Sequence, residues 1–337
     1  MDMLLSVVMP TYNRVDMLRY TLSLLKEQVL RNKDNVELII CNNASTDGTK
    51  EFLEEVYEKE HYFKLVHYDD RVDIGLSITR SINNASGRYF LLWSDDDVPG
   101  PSMIDVLVDA LKRHPDVACI TFNRLQGYSE PKETAFHSCG LLYKDYSTFE
   151  KLYESSEEFV TERWRGMTFL SADLVEVDTW KKGQTVYTKE HLGWEFLAPI
   201  LYGVKGRKCL FINYPMCIQR WLRVPGYRVK WPSYIYVGIP RMLKCLEEND
   251  VIRQWEPLYR GYLKKGQFRT SLAGYINDIV NWASRDLDYY RPLVKEINKY
   301  QTSLSHKLIT YTLYLPKWLC KFNRGIVQLL LRAAGKT

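Results

Sequence analysis

Tyr89-Phe90-Leu91-Leu92-Trp93-Ser94-Asp95-Asp96-Asp97 runs from five apolar residues almost directly into three adjacent carboxylates. The apolar half reads as a buried strand and the acidic half as the turn at its carboxyl end. The same grammar recurs upstream. Residues 4–9 are an apolar run stopped by Pro10-Thr11, and Met17, Leu18, Thr21, Leu22, Leu24 and Leu25 follow at helical spacing. Residues 36–41 predict a second strand, Asn42-Asn43-Ala44-Ser45 a turn, and Thr46-Asp47-Gly48-Thr49 the entry to a helix through Phe52, Leu53 and Val56. A third strand is predicted over 63–67 and a helix over 76–85. Beyond the carboxylates come a helix opened by Pro101 and a fifth strand over 117–123. Strands separated by helices in this order predict an α/β fold with a doubly wound, mostly parallel sheet. Ligands of such sheets bind beyond the carboxyl ends of the strands. Three polar clusters fall there: residues 10–14, 42–47 and 94–97.

Past residue 125 the pattern loosens into polar loops, with a short helix expected over 149–153, a helix over 191–202 and a strand over 208–213. Beyond about 225 the chain changes character, and helices are predicted over 239–246, 255–264 and 268–282. This divides the chain into a catalytic-type domain over 1–222 and a helical region over 223–337. At 337 residues and 39.7 kDa, with 46% apolar and 26% charged residues, one large core plus a smaller appendage is the natural organisation. No apolar run is long enough to cross a bilayer, and Met1 leads almost directly into the first strand without the basic region of a signal peptide. Seven scattered cysteines without a C-x-x-C speak against a disulfide scaffold or zinc ribbon and suit a reducing cytosol.

The net charge of +5 hides an asymmetry: residues 1–118 carry −7 and the remainder +12. No acidic residue follows Glu296, whereas Lys299, Lys307, Lys317, Lys321, Arg324, Arg332 and Lys336 do. A basic tail calls for an anionic partner. No nucleic-acid-binding motif accompanies this charge, and the tail interleaves its cations with Tyr311, Tyr314, Trp318 and Phe322. That mixture predicts a helix lying on an anionic membrane surface; a packed helix with a basic outer face is the plainer alternative.

Three adjacent carboxylates repel one another, so a folded cluster of this kind calls for a cation, and hard oxygen donors favour Mg2+ or Mn2+ bridged to a phosphate. A solvated acidic turn is the plainer reading of the cluster taken alone. Taken with Ser6-Val7-Val8-Met9-Pro10-Thr11-Tyr12-Asn13-Arg14, it resembles the family-2 glycosyltransferases of GT-A fold. Cys41-Asn42-Asn43-Ala44-Ser45-Thr46-Asp47-Gly48-Thr49 is similar to their second-strand signature. Asp73-Ile74-Gly75 with Arg80, Asn84, Ala85 and Gly87-Arg88-Tyr89 is similar to the stretch before their metal motif, and Ser94-Asp95-Asp96-Asp97 stands where they carry D-x-D. The S-D-D-D form looks most like the abequosyltransferase-type members that build surface polysaccharides.

The resemblance implies a sugar transferred from a nucleotide-diphosphate sugar to a hydroxyl of a glycan acceptor, lipid-linked by family habit, with inversion and a divalent metal. It implies a cytoplasmic protein, peripheral on the inner face of the cell membrane. Pro10, Tyr12 and Arg14 would border the nucleotide, with Asp73 and Arg80 nearby and Arg80 reaching the diphosphate. Asn42 and Asn43 replace the usual acidic pair; an amide both donates and accepts, which opens the choice among nucleotide bases, while simple turn chemistry explains the two asparagines equally well. Asp96 aligns with the metal ligand, Asp97 with the variable last position of the metal motif, and Asp95 with a ribose or diphosphate contact. The base that takes the acceptor's proton is expected among Glu195, His191 and Glu190; on a helix, Glu195 and His191 would share a face. Residues 166–171 resemble the loop lining the donor sugar and acceptor, and Trp180 reads as core or acceptor platform. Two rivals remain. A nucleotidyltransferase would need a glycine-rich loop after the first strand, and residues 10–16 hold no glycine. A non-catalytic nucleotide- or glycan-binding relative is allowed by the missing first Asp.

Overall fold

A computed structural model of the chain describes residues 3–128, 137–145, 147–221, 229–265 and 272–333. Two compact units emerge: Met1–Tyr187 with Pro199–Arg223, and Thr188–Ala198 with Val224–Thr337. The break near 223 falls among residues outside the described ones. Residues 188–198, which the sequence reading placed in the first domain, belong to the second unit.

The first unit alternates β1 (Leu5–Thr11), α1 (Val15–Arg31), β2 (Val36–Asn42), α2 (Thr49–Glu60), β3 (Lys64–His67), α3 (Ile74–Ile82) and β4 (Tyr89–Leu92). It continues with β5 (Val98–Pro99), α4 (Met103–Arg113), β6 (Cys119–Phe122), β7 (Leu125–Tyr128), β8 (His137–Leu141), β9 (Glu150–Tyr153) and α5 (Ser156–Arg163). β10 (Asp173–Glu176), α6 (Val177–Gly183), α7 (Leu197–Gly203, in this unit from Pro199), β11 (Cys209–Ile212) and β12 (Cys217–Trp221) complete the series. The main sheet has the order β3-β2-β1-β4-β10-β6-β11-β9. β3, β2, β1 and β4 are parallel, β10 runs against β4 and β6, and β9 runs against β11. The architecture is therefore GT-A-like mixed α/β around a mainly parallel sheet. β1 and β4 are nearly continuous hydrophobic runs because helices cover both faces of the sheet. Met17, Leu18, Leu22 and Leu25 of α1 bury the apolar stripe that their spacing announced.

Register sets the site. Thr11 pairs with Asn42 and Val8 with Leu92, so β1, β2 and β4 end side by side. Gly87 lets β4 start there: a Cβ on it would lie 2.8 Å from the Ser6 backbone nitrogen. A smaller sheet, β5-β12-β7-β8, carries Arg220 of β12 toward the same end.

Two local expectations fail. In place of the helix expected over 149–153 stands the edge strand Glu150–Tyr153, with Leu152 paired to Leu210; five residues are too few for periodicity to separate the two. The helix expected over 191–202 begins only at Leu197, because Leu192 (φ 42°) and Gly193 (φ 84°) are left-handed. Trp180 is core, edge-on to Phe90 at 5.9 Å.

The second unit is helical, with segments at Ile239–Glu248, Trp255–Lys265, Leu272–Ile276, Leu304–Tyr311 and Lys317–Ala333. The first four residues of the helix expected over 268–282 lie outside the described residues; from Leu272 it is helical, with a π turn at Asn277–Trp282.

Candidate active site

The carboxylate cluster follows the carboxyl end of β4, and each of its three members has a different environment. Asp95 is buried and accepts from the Thr11 hydroxyl at 2.6 Å, a bond that ties β1 to β4. Burial, opposed by Arg14 and reinforced by the charge of Asp96, pushes its carboxyl up to about 6. Asp97 points inward: it accepts from the Ser171 hydroxyl at 2.7 Å and from the Arg220 backbone N–H at 3.0 Å. Burial and the neighbouring Asp96 raise it well above the usual carboxylate range. Asp96 is the outward member, its side chain 14% exposed, accepting from Arg14 Nη1 at 2.5 Å and from the Ser94 hydroxyl at 2.5 Å.

Arg14 lies at the end of β1, 3.9 Å from Asp95 as well as bonded to Asp96. Burial works against its charge, but the carboxylates of Asp95 and Asp96 outweigh that and raise its pKa. The turn itself is braced from below, where the Thr21 hydroxyl of α1 donates to the carbonyls of Asp95 and Asp97 at 3.1 Å. From above, Arg220 Nε donates to the Asp96 carbonyl at 2.8 Å. Thr21, Ser171 and Arg220 carry roles that spacing alone did not reveal. The one signal for Arg220 was a cation inside the strand-like Cys217-Ile218-Gln219-Arg220-Trp221.

The β2 corner is stitched rather than open. Asn42 Oδ1 accepts from Ser45 N–H at 3.1 Å and its amide nitrogen meets His67 Nδ1 at 3.1 Å. Asn43 pairs through both ends of its amide with the backbone of Val72, at 3.0 and 3.1 Å, and also accepts from Arg80. Both asparagine amides are thus engaged within the protein, Asn42 in the local turn with Ser45 and Asn43 across to the loop at Val72. Arg80 stacks over Tyr68 at 3.7 Å and bonds the Asp70 carbonyl, so it holds the 68–73 loop. Asp73 caps α3, accepting from Leu76 N–H at 3.0 Å. Asp47 accepts from the first backbone N–H of α1 and of α2, Val15 at 3.2 Å and Thr49 at 3.1 Å. Pro10 and Tyr12 are half-buried, and the guanidinium of Arg71 lies 4.5 Å over the Tyr12 ring.

Among the described residues no group of three or more His, Cys, Asp or Glu side chains converges as a metal cage. Asp97, the other residue expected to hold the metal, is buried, with its two oxygens accepting from Ser171 and Arg220. Asp96, a hard and partly exposed carboxylate, fits an ion that draws its remaining ligands from a phosphate.

The three base candidates lie in the second unit. Glu190 is exposed, with its backbone carbonyl accepting from Arg241 at 3.2 Å. His191 is 3% exposed, and burial together with the charge of Arg241 pushes its imidazole down to about 4. Glu195 is half-buried in a turn near the half-buried Tyr234. The left-handed residues at 192 and 193 remove the shared helix face expected for His191 and Glu195.

Comparison with known proteins agrees with this geometry. Residues 6–173 match the family described as Glycosyl transferase family 2. Abequosyltransferase RfbV of Salmonella typhimurium is 31% identical over 117 residues, 34% of each chain. Glycosyltransferase GlyA of Streptococcus pneumoniae is 29% identical over 164 residues, 45% of this chain and 22% of its own length. The alignments thus span 34% and 22% of these relatives' own lengths. Among solved structures, S. aureus TarS 1–349 in complex with UDP-GlcNAc superimposes with a TM-score of 0.61 at 11% identity, over 92% of this chain and 91% of that one. The mannosyltransferase PcManGT of Pyrobaculum calidifontis, in complex with GDP-Man and Mn2+, gives 0.50 at 13% identity, over 91% and 86%. The strand-end carboxylates of this chain therefore sit within a family-2 glycosyltransferase domain of GT-A-like fold, and the chain belongs to that family.

Proposed function

We propose that this protein transfers a sugar from a nucleotide-diphosphate sugar to a hydroxyl of a lipid-linked surface-glycan acceptor, with inversion, at the cytoplasmic face of the membrane. One observation carries the reading: Arg14, Asp95 and Asp96 meet where β1 and β4 end, with the β2 corner alongside. Buried like charges are costly to a fold unless a ligand uses them. Pro10 and Tyr12 border the nucleotide, with Asn42, Asn43, Asp73 and Arg80 shaping its pocket by holding the 42–47 and 68–73 loops. Asp95, fixed by Thr11, faces the ribose or diphosphate.

The acceptor oxygen attacks the anomeric carbon, the bond from that carbon to the diphosphate oxygen breaks, and the acceptor's proton passes to a base. Asp96 would hold Mn2+ or Mg2+ together with the donor diphosphate, and the ion would neutralise charge on the departing group. Arg14, already bonded to Asp96, adds a second positive charge at that position. Glu195 is the preferred base, because His191 is buried and a poor proton acceptor at neutral pH, and Glu190 comes third.

A thermal-shift panel of UDP, CDP, GDP and dTDP, each with and without Mn2+, tests the reading. One nucleotide should raise the Tm in the presence of the ion, by about 2.7 kcal/mol of stabilisation at a hundredfold excess over Kd. Asp96→Asn should abolish the dependence on the ion. No shift with any of the four removes the donor site. A shift without release of nucleoside diphosphate from the matching nucleotide sugar favours a non-catalytic binding relative.

A further inference from the structure

Helix Lys317–Ala333 turns the wrong side outward. Its inner side is fixed by Cys320, 4% exposed, whose thiol faces the carbonyls of Thr312 and Leu315 at 3.4 and 3.5 Å. Arg324 and Gln328, four and eight residues on, donate to the Ser284 carbonyl and to Asn281 Oδ1. Trp318, Phe322, Ile326 and Leu330 are likewise spaced four apart and lie on the opposite side. Their exposures are 70, 61, 44 and 65%, with Leu329 beside them at 66%. A globular amphipathic helix buries such a stripe, so a continuous exposed one marks an interaction surface. Lys321 and Arg332 lie along its flank, both exposed, whereas Lys317 pairs with Asp288 at 3.4 Å. The preceding helix, Leu304–Tyr311, repeats the arrangement: Leu304 and Leu308 are 72 and 59% exposed while Thr310 is buried.

We propose that the outward face of residues 317–333 docks on an anionic lipid bilayer, the helix lying in the plane of the interface with Trp318, Phe322 and Leu329 among the acyl chains and Lys321 and Arg332 on lipid phosphates. Charge selects this occupant. Not one acidic residue follows Glu296, so the helix's own charges are all of one sign, and the acid beside its first turn, Asp288, is paired with Lys317 at 3.4 Å. That is the pattern of an interfacial helix and not of a self-complementary protein interface. Among the described residues no helix is long and apolar enough to cross a membrane, which suits lying on one. The inference rests on residues of the second unit alone and stands apart from the donor site. It supplies a physical reason for the lipid-linked acceptor suggested above.

The test is flotation of the full chain with phosphatidylcholine vesicles, with and without about a third of phosphatidylglycerol. Binding should be at least about tenfold stronger to the anionic vesicles and fall severalfold in about 0.5 M salt. Trp318→Glu with Phe322→Glu should lower the partition by at least about tenfold while leaving the Tm and the nucleotide-induced thermal shift unchanged. The inference is overturned if the wild-type chain ignores anionic vesicles, or if the double variant floats like wild type. It is also overturned if the wild-type chain is a dimer in solution that the double variant dissociates, which would place a second copy on this face. Vesicle binding reads the second unit and the nucleotide shift reads the first, so the two proposals fail separately.

Discussion

The end of β4 and the terminal helix invert each other's chemistry. At the strand end, carboxylates that belong in water are buried and bonded to Thr11, Arg14, Ser171 and Arg220. In the helix, side chains that belong in a core face solvent. Each arrangement costs free energy in the isolated chain, and each is the kind of cost that a bound partner offsets. The comparison teaches that misplacement, more than residue type, locates function. An Asp triplet on a surface loop and a Leu-rich helix in a core would both be unremarkable.

That comparison can be broken or sharpened experimentally, and the largest effect belongs to the strand end. Asp96→Asn should lower kcat/KM with the matching nucleotide sugar by about 10²–10³-fold while the Tm holds; an active variant would detach the cluster from catalysis. Leucine truncation then contrasts burial with exposure. Leu91→Ala, in fully buried β4, should cost about 2–5 kcal/mol in denaturant unfolding. The same change at Leu330 should stay within about 0.5 kcal/mol, and a large loss there would show that the helix face is covered in the free protein.

Protonation sets two intermediate effects. His191 titrates near 4 in the fold against an ordinary value of about 6.5. The unfolded chain therefore takes up a proton first, and stability falls as the pH drops from about 6.5 toward 4, by an amount on the order of 2–3 kcal/mol. His191→Gln should flatten that acid limb in pH-dependent melts. Asp95 behaves oppositely. Its folded value near 6 lies above the unfolded one, so the fold keeps a proton the unfolded chain has lost, and stability falls as pH rises from about 4 to 6. Asp95→Asn should raise the Tm by a few degrees at pH 8 and leave it unchanged at pH 4. A lower Tm at pH 8 would mean that the Asp95 carboxylate is a structural asset in the unliganded protein.

Legibility followed the range of the interactions. The apolar runs of β1, β2 and β4 and the stripe of α1 were readable because burial on both faces writes continuous or 3.6-period patterns into a few adjacent residues. Asp95 and Asp96 were readable because the turn follows its strand directly. Arg220 was not, since its Nε reaches Asp96 across 124 positions of sequence. The edge strand at Glu150–Tyr153 was misread because its partner, Cys209–Ile212, lies far along the chain. The supposed helix through His191 failed at Leu192 and Gly193, where the second unit's packing requires left-handed backbone: a Cβ on Gly193 would meet the Tyr234 ring at 3.0 Å.

Sequence by itself determined the strand-and-helix alternation of the first unit, the family resemblance, the acidic cluster at a strand end and the acid-free basic tail. These are local, written in neighbouring residues or in plain composition. Tertiary structure alone decided which aspartate faces out, that Asn43 and Arg80 brace a loop, that His191 is buried and that the terminal helix shows its apolar stripe to solvent. The physical reason is that periodicity places residues on a common face without saying which face meets the core. That choice is made by partners such as Asn281, Ser284 and Thr312, which only the folded chain brings to Gln328, Arg324 and Cys320.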